Sequence, residues 1–248
     1  MIKRLSATII VDSGLVVNSY NFEQHLPVGK LNHTLRRLQD LEIDDVIILN
    51  TTHSEDPAGD FRDFLSRLDT WHISTPLSYG GGIMSLNQAI DIVKSGAERV
   101  VITSKLLVNS KLFSEMCSYL GEQAVVLHLP LEFESNNVYI KGNKQLELKS
   151  IFSLLPKHWG GEILLSFVAN DGRKMPDWKN IEVALEQSCR FEGLVLTGGF
   201  ACPADISKGL SLDQVSAIAV GNFLHRTEIS VTTLKQGVDG EILIRRPQ

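Results

Sequence analysis

Two apolar runs in the sequence each finish in consecutive glycines, Ser78-Tyr79-Gly80-Gly81-Gly82 and Leu196-Thr197-Gly198-Gly199. Glycine has no side chain to hold an anion at a distance, and a helix starting just beyond adds unpaired N–H donors and a favourable dipole. Thr103-Ser104, Asn170-Asp171-Gly172 and Gly221-Asn222 close three further apolar runs with the same small or polar residue types. Gly81, Gly82, Thr103, Ser104, Asp171, Gly172, Gly198, Gly199, Gly221 and Asn222 are therefore the candidate phosphate-binding residues. A single cluster could simply turn a strand into a helix. Two matched clusters suit a small ligand with a phosphate at each end.

Eight β-branched runs of strand length carry these ends: 5–11, 45–49, 75–79, 99–103, 124–129, 162–167, 193–197 and 216–220. Segments with helical periodicity lie between them, at 31–41, 86–97, 109–120, 180–189 and 228–237. Near-continuous apolar strands alternating with helices imply a parallel sheet covered by helices, and eight such units predict an α/β fold, a single closed (β/α)8 TIM barrel. The spacing repeats: Asn50 to Gly80 is 30 residues and Phe167 to Gly198 is 31, while Gly81 to Thr103 is 22 and Gly199 to Asn222 is 23. A pseudo-twofold barrel of two half-barrels, about 1–120 and 121–248, accounts for that repeat. The segment 138–146 reads as a hairpin in the fifth loop, turning at Gly142-Asn143. Trp71 and Trp159 read as covers for helix ends.

With 248 residues, 43% of them hydrophobic, and no linker-like stretch, one large core is expected. A net charge of −5 offers no basic field for a nucleic acid. Cys117, Cys189 and Cys202 are odd in number and form no CxxC pair, which fits a reducing cytoplasm and predicts neither a disulfide framework nor a thiolate metal site. Asp and His occur singly, so no metal site and no cofactor are expected. The N-terminal apolar run reaches Asp12 too soon for a signal peptide, and no segment is long enough to span a membrane.

Five stretches together resemble the cyclase subunit of imidazole glycerol phosphate synthase, from histidine biosynthesis: RLSATIIVDSGLVVNSYNF, YGGGIMS, SGAERVVITS, EILLSFVANDG and FLHRTEISVTTLK. The resemblance covers nearly the whole chain. It implies a (β/α)8 barrel that binds a bisphosphorylated aminoimidazole carboxamide nucleotide and takes ammonia, through the barrel, from a separate glutaminase subunit. It also implies two aspartates, ending the first and fifth strands, as acid and base for ring closure and cleavage.

Those positions hold Ile10 and Pro130, neither of which exchanges a proton. The aspartate usual at the end of the second strand is Asn50, and the lysine usual in the first loop is Asn18. His128, inward by parity with position 130, and Asp171 are the remaining catalytic candidates. At the opposite rim, Arg4, Asp45, Arg99 and Glu162 match the family's alternating ammonia gate, and Glu98 matches an acidic position of the partner interface. Thr8, Ser78, Ser166 and Thr197 are inward hydroxyls that would leave room for neutral ammonia.

Three readings stay open, and with them whether the chain is itself an enzyme. The preferred one is a barrel that pairs with a glutaminase and conducts ammonia with little or no cyclase activity, serving sugar amidation in surface-glycan synthesis. The others are a histidine-pathway cyclase working through substituted residues, and a non-enzymatic phosphate-binding scaffold.

Overall fold

The computed structural model describes residues 2–52, 72–103, 110–135, 137–225 and 231–245. Eight strands form the barrel: β1 (Arg4–Asp12), β4 (Asp45–Asn50), β5 (Leu77–Gly80), β6 (Arg99–Thr103), β7 (Val125–Glu134), β10 (Glu162–Phe167), β11 (Leu194–Thr197) and β12 (Val215–Val220). All neighbours run parallel, β7 pairs β10, and β12 returns to β1, so the barrel is closed. The predicted TIM barrel is the observed fold.

Helices α1 (Leu31–Asp40), α2 (Leu86–Lys94), α3 (Ser110–Leu120), α4 (Leu148–Leu154), α5 (Trp178–Gln187), α6 (Pro203–Leu210) and α7 (Val231–Gln236) lie between or after the strands. Their starts carry local signals. Ser85 accepts from the Gln88 N–H at 3.3 Å while the Gln88 side chain accepts from the Met84 N–H at 2.7 Å, a reciprocal cap that fixes α2 just beyond the Gly80–Gly82 end. Asp177 caps α5, and Pro203 supplies a preset first turn to α6.

Side chains divide by parity into two cores. Leu5, Ala7, Ile9 and Val11 of β1 point outward into the layer between barrel and helices. Ile10 points inward and joins Ile47, Leu49, Val101, Val126, Leu164, Val195, Ala217 and Ala219 in the lumen. The interior is therefore packed rather than open, as small barrels require.

Two hairpins decorate the mouth. The fifth-loop hairpin forms as predicted from β8 (Asn137–Ile140) and β9 (Asn143–Glu147), with its turn at Lys141-Gly142, one residue early. A second hairpin, β2 (Leu15–Tyr20) with β3 (Gln24–Lys30), has no counterpart in the sequence-based expectation. Ser13 and Gly14 have φ of 49° and 77°, the left-handed pair that a two-residue turn needs to fold Leu15–Val17 back onto Ile10–Asp12. Trp159 is buried with its ring 6.2 Å from that of Phe113 of α3, and Trp71 lies outside the described residues. Among the described residues no helix is long and apolar enough to cross a membrane.

Candidate functional site at the barrel mouth and the opposite rim

At the N-terminal rim, Arg4, Asp45, Arg99 and Glu162 are each the first residue of a barrel strand. They close into one ring: Arg4 to Asp45 at 3.2 Å, Asp45 to Arg99 at 3.4 Å, Arg99 to Glu162 at 3.3 Å, and Glu162 back to Arg4. Two positive and two negative groups cancel, and the Asp45 side chain is only 3% exposed. Burial works against the Arg4 charge, but Asp45 and then Glu162 outweigh it and hold the guanidinium above the usual arginine range. Glu98 stands exposed beside Arg99 on the same rim.

Above the ring the lumen mixes aliphatic side chains with inward-facing hydroxyls. Thr8, Ser78, Ser166 and Thr197 are all buried. His128 Nε2 lies 2.8 Å from Ser166 Oγ, and Thr8 Oγ1 lies 3.5 Å from Thr197 Oγ1. Burial pushes His128 down to about 4, so the ring is neutral at physiological pH. An unfolded chain would take up that proton below the ordinary histidine value of 6.5. Stability is accordingly flat above that pH and falls between 6.5 and about 4, by roughly 3 kcal/mol from this group. Urea titrations of wild type and His128→Asn at pH 7.5 and pH 5 check this: the variant should lose less on acidification, and equal losses would refute it. His225, also pushed down to about 4 by burial and by Arg37, adds an acid-sensitive background common to both.

At the mouth, Ile10 is 5% exposed and Pro130 sits in register with Ser166, where the resemblance places acid and base. Asp12 does not take their place. Its carboxylate accepts from Ser13 Oγ and lies 2.8 Å from His25 Nδ1 of β3. Asn50 is likewise engaged locally: its Nδ2 donates to the Tyr79 hydroxyl and its Oδ1 accepts from the Thr52 N–H and hydroxyl. Asn18 lies on β2, its Oδ1 buried without a partner among the described residues.

Asp171 is tied to the hairpin. Its Oδ2 accepts from Ser19 Oγ at 2.7 Å and from the Phe22 N–H at 3.1 Å. Burial raises its pKa above the ordinary carboxylate value, against the pull of those bonds. Asn222 holds the same hairpin, accepting from the Ser19 N–H at 3.0 Å and donating to the Ser19 carbonyl at 2.6 Å. Lys141 donates to the Asn21 carbonyl from the other side. Phe22 is thereby held against the lumen core, its ring 6.3 Å from that of His128. Asp171 and Asn222 also line the cleft at the mouth, so the residues that pin the hairpin border the candidate ligand site.

The glycine ends are close-approach points. A Cβ on Gly81 would lie 2.4 Å from the Asn50 carbonyl oxygen, and one on Gly198 would lie 2.6 Å from that of Phe167. Each glycine thus backs onto the last residue of the preceding barrel strand. The equivalence pairs Gly81 with Gly198, one residue from the pairing that the spacing suggests. Gly198, Gly199, Gly221 and Asn222 meet around one cleft with Thr8, Ile10, Thr197 and Phe22, while Gly172 packs against the Tyr20 ring beside it. Arg173 also lines this cleft and brings the one positive charge among its described lining residues. It is absent from the sequence-based candidates although it directly follows Asp171-Gly172. Gly81, Gly82 and Thr103 lie at the ends of β5 and β6, and Ser104 lies outside the described residues. Among the described residues no cluster of His, Cys, Asp or Glu could hold a metal ion.

The fold and site define a (β/α)8 barrel whose polar, glycine-rich strand ends border a cleft and whose opposite rim carries a closed ring of paired charges. The histidine biosynthesis protein family model matches residues 4–230, and the chain belongs to that family, with HisF subunits of imidazole glycerol phosphate synthase among its relatives. It is similar to the imidazole glycerol phosphate synthase subunit HisF of Alkaliphilus metalliredigens, 26% identical over 251 residues that cover 98% of this chain and 99% of the relative. The same-named subunit of Dictyoglomus turgidum is 28% identical over 228 residues, 89% of each chain. That of Clostridium botulinum is 26% identical over 244 residues, 94% of each.

Proposed function

We propose that this barrel partners a glutaminase and passes its ammonia from the charged rim to the mouth, with little or no cyclisation of its own. The observation that carries the reading is the contrast between its two ends. The Arg4–Asp45–Arg99–Glu162 ring is complete, while Ile10 and Pro130 stand where the family's proton transfers need carboxylates. Neutral paired charges exclude ions and bulk water, yet they can part without leaving a net charge behind. Sugar amidation in surface-glycan synthesis is the service we assign to the delivered ammonia.

Residual ligand binding at the mouth fits the glycine ends, with Arg173 as the cation for a phosphate ester. Gly81 and Gly198, each backed onto the end of the preceding strand, support descent from two half-barrels. A cyclase using His128 and Asp171 instead is disfavoured. His128 is neutral, buried and bonded to Ser166, and Asp171 is committed to Ser19 and Phe22.

Co-purification with the glutaminase encoded nearest its gene tests the partnership. A stable complex is expected in which glutamine hydrolysis rises over that of the glutaminase alone and shifts when Arg99→Ala opens the ring. Absence of a complex, with Arg99→Ala neutral, would favour the scaffold reading.

A further inference from the structure

Just inside the charged ring, two polar atoms are buried without a partner among the described residues: Ser6 Oγ and Asp45 Oδ1. Ser6 is 0% exposed and Asp45 2%. They are Cα partners in the β1–β4 ladder, and registered residues of a parallel pair project to the same face. That face is the lumen, because Ser6 shares its parity with Thr8 and Ile10, and Asp45 with Ile47 and Leu49. The two groups do not bond each other. Two adjacent, same-facing polar atoms that do not meet are the usual setting for one small bridging molecule.

The chemistry of the gap is specific. Asp45 Oδ2 already serves both arginines, so Oδ1 remains a charged acceptor. Ser6 Oγ can accept or donate. A bridging molecule must therefore bring at least one donor to Asp45 and a second group to Ser6. We propose that Ser6 and Asp45 form a binding site for a single ammonia or ammonium molecule on the inner side of the ring, the first stop after it is crossed. The inference rests on the conduit reading and adds a residue, Ser6, that lies outside the set of gate positions. The carboxylate of one gate residue thus faces both ways: one oxygen closes the ring and the other receives what comes through.

Nuclear magnetic resonance of the wild-type chain in 15N-ammonium chloride, at mildly acidic pH where ammonium protons exchange slowly, tests this. Nuclear Overhauser cross-peaks are expected from 15N-bound protons to the side-chain protons of Ser6 and Asp45. They should fall by about tenfold or more in Ser6→Ala and persist in Ser6→Thr, which keeps the hydroxyl. Cross-peaks from water alone at saturating ammonium, or undiminished ammonium cross-peaks in Ser6→Ala, would overturn the site. Either result leaves glutaminase binding, measured separately by co-purification, as the test of the conduit itself.

Discussion

Asp45→Ala should lower the stability of the barrel by about 3 kcal/mol, on the order of 6 to 12 °C in melting temperature. The Asp45 carboxylate is the most buried member of the ring and bridges two guanidinium groups, at 3.2 Å and 3.4 Å. Its removal leaves Arg4 and Arg99 sharing Glu162 alone, with one uncompensated positive charge at the rim. Both arginines keep about a fifth of their side-chain surface in water, at 21% exposed, so solvent screening holds the loss near the lower end for a broken buried pair. Glu98→Ala, one residue from the ring but exposed, should change stability by less than ~0.5 kcal/mol. Thermal or urea unfolding of the two variants side by side decides this; an Asp45→Ala barrel as stable as Glu98→Ala would mean that the ring contributes nothing.

Given the bisphosphorylated nucleotide and excess ammonium salt, the isolated chain should turn over roughly 10²- to 10⁴-fold more slowly than a barrel with both carboxylates. Loss of one general acid or base costs roughly 10² to 10⁴. The two losses do not simply multiply, because a site that has lost one proton-transfer partner gains little from the other. Asp12 is held by Ser13 and by His25 of β3, and Ile10 shares its apolar cluster with Val17, Leu49 and Phe22. An aspartate introduced at position 10 alone would enter this apolar surface without a partner, so its proton would be held well above the ordinary carboxylate range.

The barrel is legible in the sequence because its strands are buried on both faces. Arg99-Val100-Val101-Ile102-Thr103 shows why: Val100 and Ile102 pack outward against the helices while Val101 packs into the lumen, so the run is apolar whichever face is counted. Parity alone places Ile10, His128 and the four hydroxyls inside. The β2–β3 hairpin is not legible, since what holds it down comes from Asp171 and Asn222, 149 to 203 residues away. For the same reason the hairpin bonds of those two residues, which also line the mouth cleft, have no local signal. Arg173 and Ser6 do have signals, a cation beside Asp171-Gly172 and a hydroxyl two residues below Thr8 on the same strand.

The proposed contrast between an intact rim and a disarmed mouth is tested most directly in the proposed complex with glutaminase, by supplying glutamine labelled with 15N at the amide together with the nucleotide and following the label by mass spectrometry. The label is expected as free ammonia, with the nucleotide recovered unchanged. Label appearing in an imidazole ring at a rate matching glutamine consumption would contradict the account.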